Sequence, residues 1–531
     1  MAPGEVFTPT LAGCPEEVIE KIFSEFLGDA SELARIGLVS RQFRQISRML
    51  MFKRIVVHQE HKKTWHQYSQ TLLLQELLRL PNFAGKVKQL RLENDESGAW
   101  HAMNRRRPGP EIDSETYQQE RDASADRLLS EMYSDRITKP PAENLAPAVI
   151  QDWVTEYGAI VDTGVNLDPA MRNIVLHSLL ILACPQLRHL HIEAFALHSS
   201  CLDQLFHYIE YKDNSAPVLQ ELRSLELPVD ALTCRHEWEI EPRKVAAFIK
   251  LPKLQSLTLS VPLSGNRLGA FRWPQSGPPS NSRLSSLTIS GAREKHLGQI
   301  TRHLKNLKYL KWQFFEYLDL ELHGPDHPEV ELPCDIQLTE LGTSLGHVSA
   351  TLEDLVLQAS INDIDGPRPL NNPLSLSGSL DAMASLHTLR RLQLPWAFAF
   401  GLGPFEGERK LAKILPPGLE LLTLTDDLTE YDREEWKWEY DEMIATVKSE
   451  IVDYNIQEHC RNLRVIFMPF FPYMFSIQLY VLSSRASVRL ESRQAWLSVD
   501  GAGEGDLWLD ETYTTCPRQR EDDPDSFHES D

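Results

Sequence analysis

Paired cysteines are missing. The 531-residue chain carries seven cysteines, at 14, 184, 201, 234, 334, 460 and 516, with no CxxC pair among them. A scattered, odd set argues against a disulfide framework or a zinc knuckle and points to a reducing compartment, cytoplasmic and/or nuclear. Long apolar runs are missing too. The best, Ile174 to Cys184, contains His177 and falls short of the roughly 18–20 apolar residues a membrane span needs, so no membrane partner is expected. Residues Met1–Thr10 lack the basic stretch and apolar run of a secretory signal. Basic charge is in deficit: 54 Lys and Arg stand against 76 Asp and Glu, a net −22. Residues 426–459 hold 12 acids and 3 bases, and residues 498–531 hold 11 and 2, so these two stretches supply −18 of the total. A chain this acidic repels phosphate backbones, and no nucleic-acid partner is expected.

Catalytic signatures are equally scarce. There is no HExxH, GxSxG or GxxxxGK[ST]. In Gly401–Gly407 the third glycine of a dinucleotide loop is one residue late and Pro404 intrudes, so the stretch reads as a plain loop. His58, His61 and His66 lack a spacing that fixes tetrahedral ligands, and no metal or cofactor is expected. The carboxylates of 426–459 flank Trp436, Trp438 and Tyr440; they read as a solvated helix face, with a dock for a basic partner as the alternative. A non-catalytic protein is the expectation.

What is present begins at Leu11. Pro15 suits the opening of a helix, Glu16 and Glu17 carry the sign its N-terminus favours, and Val18, Ile19, Ile22, Phe23 and Phe26 recur at helical spacing. Gly28 breaks that helix. A second follows with Leu33, Ile36 and Leu38, and Ser40 can cap a third carrying Phe43, Ile46 and Leu50. Three helices in so short a stretch bury little and should leave apolar surface for a partner. The run Pro15-x-Glu17-Val18-Ile19-x-x-Ile22, then Leu33, then Leu38-Val39-Ser40-Arg41-x-Phe43-Arg44 resembles the F-box motif over nearly its full length, with Cys14 where the family usually has leucine. The resemblance implies docking on a Skp-family adaptor, and through it a cullin, by Pro15, Ile19, Ile22, Leu27, Leu33, Leu38, Val39 and Phe43.

Further on, the pattern apolar-x-x-apolar-x-apolar recurs ten times, starting at Val87, Leu187, Leu222, Leu254, Leu284, Leu307, Leu352, Leu389, Leu419 and Leu463. First, fourth and sixth positions should face a core, and third, fifth and seventh the opposite side of a parallel sheet. The pattern is similar to irregular leucine-rich repeats of F-box proteins. The expected fold is therefore α/β: a three-helix F-box at 11–57, a helical linker at 58–84 and a leucine-rich solenoid at 85–475 with a curved parallel sheet and convex helices. A mobile insertion is expected at 94–144, a C-terminal cap at 476–516 and a disordered acidic tail at 517–531. Segments such as Ile174–Ala183 and Met443–Tyr454 should supply the helices. Cys184 and Cys460, each near a strand leucine, read as packing residues.

By this resemblance the protein is the substrate-recognition subunit of an SCF-type ubiquitin ligase, or alternatively an F-box scaffold working outside a ligase. Among the outward strand positions Tyr309, Lys311, Gln313, Arg391 and Gln393, with Trp396 beyond its strand, are the candidate target-binding residues, because aromatic and arginine side chains dominate interface hot spots. A wall of that kind suits an acidic or phosphorylated peptide.

Overall fold

The computed structural model describes residues 14–26, 30–59, 81–94, 183–192, 219–227, 248–260, 282–317, 335–362, 375–403, 411–428, 438–453, 456–469 and 488–492, with isolated positions between them. Leu27, the insertion beyond residue 94, His61 and His66, most of the 58–84 linker and the acidic tail lie outside the described residues.

The chain begins with α1 (Glu16–Ser24), α2 (Ala30–Ile36) and α3 (Arg41–Lys53). Pro15 stands at the start of α1 with its φ at −52°, a value the pyrrolidine ring imposes anyway, and Glu16 and Glu17 occupy the first turn. Ser40 caps α3 through a 3.1 Å hydrogen bond donated by the Phe43 amide to its hydroxyl. The three helices close on a small core of Ile19, Phe23, Leu33, Phe43, Ile46 and Leu50. Phe23 meets Phe43 edge to face, with centroids 5.1 Å apart.

Fourteen strands follow among the described residues: β1 (Arg54–Gln59), β2 (Gln89–Asn94), β3 (His189–Ile192), β4 (Ser224–Leu227), β5 (Ser256–Ser260), β6 (Ser286–Ser290), β7 (Tyr309–Tyr317), β8 (Asp335–Gln337), β9 (Asp354–Asn362), β10 (Ser375–Ser377), β11 (Arg391–Pro395), β12 (Leu421–Thr425), β13 (Val465–Met468) and β14 (Arg489–Ser492). β8 and β10 pair with each other, and the other twelve form one parallel sheet in chain order. All ten motif copies become strands. The sheet also takes in β1, inside the stretch assigned to the F-box, and β14, inside the stretch assigned to a cap.

Register follows the motif. First, fourth and sixth residues are buried in every copy, as in Leu222, Leu225 and Leu227, while Ser224 and Glu226 face the other way. A second regularity is in the backbone. The amide two residues before the fourth-position apolar residue donates to the carbonyl of the preceding rung: Lys88 to Lys53, Arg188 to Lys88, Arg223 to Arg188, and onward through Gln255, Ser285, Lys308, Glu353, Arg390 and Glu420 to Arg464, whose own carbonyl accepts from the Arg489 amide, one residue before Leu490. Because α3 ends at Lys53 and β1 starts at Arg54, this ladder begins on the last residue of the helical unit.

The second layer lies against the sheet's apolar face. It includes α4 (Glu294–Thr301), α5 (Leu338–Gly346), α6 (Trp396–Phe400) and α7 (Tyr440–Lys448). α4 and α5 come close because Gly298 has no side chain: a Cβ there would sit 2.6 Å from Ser344 Oγ, which donates to the Glu294 carbonyl at 2.8 Å. Cys184 and Cys460 are buried packing residues, and burial pushes their thiols up to about 12 and about 11. The 426–459 stretch is not uniformly solvated. Trp438 turns inward and its indole N–H donates to the Gly401 carbonyl at 2.9 Å, and the buried Glu450 accepts from the Ala412 amide at 3.2 Å. Gly401 adopts φ +92°, where a side chain would be strained.

His177 is 1% exposed, and neither ring nitrogen has a hydrogen-bond partner among the described residues. Burial pulls its pKa from 6.5 to about 4. The unfolded chain therefore takes up a proton below pH 6.5 that the folded chain refuses, and stability drops as pH falls towards 4. Between about pH 7.5 and about pH 4.5 the protein should lose about 2–3 kcal/mol more than a His177→Leu variant. Urea midpoints of the two proteins at both pH values check this; parallel pH profiles would show the imidazole to be solvated.

Candidate functional site

Two surfaces carry the residues singled out above, and the first is the N-terminal unit. Of the eight large apolar side chains exposed among the described residues, five belong to it: Val18, Ile22, Phe26, Leu38 and Val39. Val18 and Ile22 are four residues apart along one line of α1 and Phe26 follows in the turn after it, whereas Ile19 and Phe23 face the core. Leu38 and Val39 stand in the turn between α2 and α3, 75% and 72% exposed. That turn is held by its own backbone. The Gly37, Leu38 and Val39 amides donate to the Leu33, Arg35 and Ile36 carbonyls, and Arg44 Nε donates to the Gly37 carbonyl at 3.3 Å. Two neighbouring apolar side chains thus point at water from a hydrogen-bonded turn.

The eight candidate adaptor residues thus divide. Pro15, Ile22, Leu38 and Val39 are exposed; Ile19, Leu33 and Phe43 are buried in the three-helix core. They are corrected to core residues. Val18 and Phe26 are exposed on the same unit and were not among the candidates. Their signal was in the sequence: a stripe this wide on a helix this short is two lines of residues, and only one can face inward.

The second surface is the face of the sheet opposite the core. Tyr309, Lys311 and Gln313 on β7 lie beside Asp354, Val356 and Gln358 on β9, and Arg391 and Gln393 on β11 flank Asp354 and Val356 from the other side. The five candidates are therefore brought together, all half-buried. Arg391 is already engaged: its Nε and Nη2 donate to the two carboxylate oxygens of Asp354, the second at 2.6 Å. Such a fork orients the guanidinium and neutralises part of its charge. Val356 and Gln358, in the middle of the group, are buried.

Trp396 does not join them. It is 0% exposed and stacks at 4.4 Å on Phe400 and edge to face with Trp438 at 5.5 Å. The reason lies in α6, which starts right after β11 and turns Trp396, Phe398 and Phe400 all into the core. Trp396 is corrected from a target contact to a core residue.

Nearer the N-terminal end of the same face, His191 Nδ1 lies 3.0 Å from Glu226 Oε2. This hydrogen bond holds the Glu226 carboxyl below its ordinary range, against the opposing effect of burial. His189, beside it, has its pKa lowered by burial first and by Arg223 and Arg188 in addition, with Glu226 opposing. No cluster of three or more His, Cys, Asp or Glu able to hold a metal occurs among the described residues, and no helix of theirs is long and apolar enough to cross a membrane.

Comparison with curated proteins gives no match. Comparison with protein families matches residues 14–58 to the F-box-like family, so the three-helix unit carrying Leu38 and Val39 is an F-box-like domain, followed by a large parallel sheet with helices.

Proposed function

We propose that the protein is the substrate-recognition subunit of an SCF-type ubiquitin ligase. The F-box-like domain holds the Skp-family adaptor and through it a cullin, the sheet's outward face holds a target protein, and the chemistry is done by other subunits. The observation that carries this reading is the exposed Leu38–Val39 pair on a rigid turn of that domain. In this reading the adaptor contacts are Pro15, Val18, Ile22, Phe26, Leu38 and Val39. The sheet region is an irregular leucine-rich solenoid, which the burial of first, fourth and sixth motif positions supports. Work in the cytoplasm or nucleus accords with the scattered, odd-numbered cysteines.

Pull-downs of the intact protein and of a form lacking residues 11–50 test it. Adaptor and cullin should both be recovered with the first and neither with the second. Adaptor without cullin would leave an F-box scaffold outside a ligase.

For the target, charge reversal at both Lys311 and Arg391 should weaken capture about tenfold or more, since Arg391→Glu also leaves Asp354 facing a like charge. Quantitative recovery of the target from cells, with adaptor binding as the folding control, measures this. Unchanged recovery would move the target site off these strands.

A further inference from the structure

The backbone ladder carries a charge pattern along the N-terminal edge of the sheet. Its first four rungs are Lys53, Lys88, Arg188 and Arg223, hydrogen-bonded one to the next at 2.7–3.0 Å. Arg54 follows Lys53 on β1, and Lys86 lies in the turn before β2. No ion pair joins any of these six to a described acid, and Arg54, Lys86 and Arg223 are exposed. The acid that reaches them is Glu221, already hydrogen-bonded by Lys253 Nζ at 2.5 Å. Burial and then the Arg188 charge pull the Lys88 ammonium below its ordinary range, as expected where cations crowd.

Beyond Arg223 the pattern stops. Gln255 and Ser285 are neutral, Lys308 is paired with Glu353 at 2.7 Å, and Arg390, Glu420 and Arg464 alternate in sign. A surplus of cations on four rungs, in a chain of net charge −22, is a local feature and not an overflow of general basicity.

We infer that this edge, beside the F-box-like domain, is a docking surface for a short Asp/Glu-rich segment of a partner protein. The patch spans three strand spacings, about 14 Å, the length of about four residues of extended chain. A short acidic stretch is satisfied within that length. A nucleic acid, a uniform polyanion, would run past the patch onto the acidic remainder and be repelled there. The inference does not depend on the ligase reading, since it concerns neither Leu38 and Val39 nor the Arg391 region.

The test uses the full chain and a fluorescein-labelled peptide of alternating Asp and Glu, with a Gln/Asn peptide and a single-stranded oligodeoxynucleotide of equal net charge in parallel. The acidic peptide should bind more tightly than both, and more weakly as salt rises. Arg188→Glu with Arg223→Glu should weaken it about tenfold or more, while Arg188→Lys with Arg223→Lys keeps most of the affinity. Arg464→Glu, on a distant rung, should change nothing. An oligonucleotide that binds more tightly, a double reversal without effect, or an equal loss in Arg464→Glu would each overturn the proposal. Melting curves of all variants establish that they are folded.

Discussion

Replacing Leu38 and Val39 together by alanine is expected to abolish adaptor capture while leaving the melting temperature nearly unchanged. In the free protein these two side chains face water, so truncating them forfeits almost no intramolecular packing. In a complex each would be buried, and the two losses together come to roughly 4 kcal/mol or more, about a thousandfold in affinity. Ile19→Ala supplies the contrast. Ile19 is fully enclosed in a core of six residues, and its truncation should cost about 2–5 kcal/mol of the domain's own stability, so that binding is lost through unfolding. Adaptor co-purification and thermal melts on the same samples separate the two cases. If the Leu38/Val39 variant keeps its adaptor at the level of the unaltered protein, the partner surface lies elsewhere.

The second large effect is expected at Trp396. Trp396→Ala should destabilise the sheet region by about 3–5 kcal/mol, because it empties the centre of the stack formed with Phe400 and Trp438. Trp396→Phe should cost much less, since the Trp396 indole N–H has no acceptor to lose. Trp312 is the informative comparison: its N–H donates to the Ala292 carbonyl at 2.7 Å, so Trp312→Phe leaves a buried carbonyl unpaired and should be the more damaging of the two phenylalanine changes. Urea unfolding followed by circular dichroism measures all three. A Trp396→Ala protein of undiminished stability would mean that the indole is at the surface after all.

The sheet was legible because its signal is local and repeated. Ten copies of one apolar motif give ten strands in chain order, and the alternation of inward and outward residues is a property of the pleat itself. Two strands of the large sheet, β1 and β14, lie outside the ten copies for different reasons. Phe52-Lys-Arg-Ile55-Val-Val57 obeys the same apolar pattern, but its opening residues also continue the helical stripe of α3, and two periodicities overlaid on one stretch mask each other. At β14 the pattern is absent, with Ser487 at the first position and Ser492 at the sixth.

The candidate sites were legible only in part. A motif identifies which residues recur but not on which side of a short helix each one lies, so Ile19, Leu33 and Phe43 were grouped with the true surface residues. Trp396 was misplaced because the chain leaves the strand geometry at Pro395 and enters a helix, after which the alternation no longer says which way a side chain faces. The Arg391–Asp354 fork depends on the pairing of β9 with β11, and no local pattern carries that.

The junction at Lys53–Arg54 has a mechanical meaning. A helix that passes into a strand without an intervening residue leaves no linker between them, and the strand pairs at once with its neighbour over six residue pairs. Whatever grips the three helices therefore grips the sheet as well, like a handle forged to its blade. For a chain built this way, reach and aim are set when it folds rather than when a partner arrives. Two ligands held at opposite ends would keep a constant separation and bearing, and which surface groups of one come within range of the other would follow from the count of rungs between them.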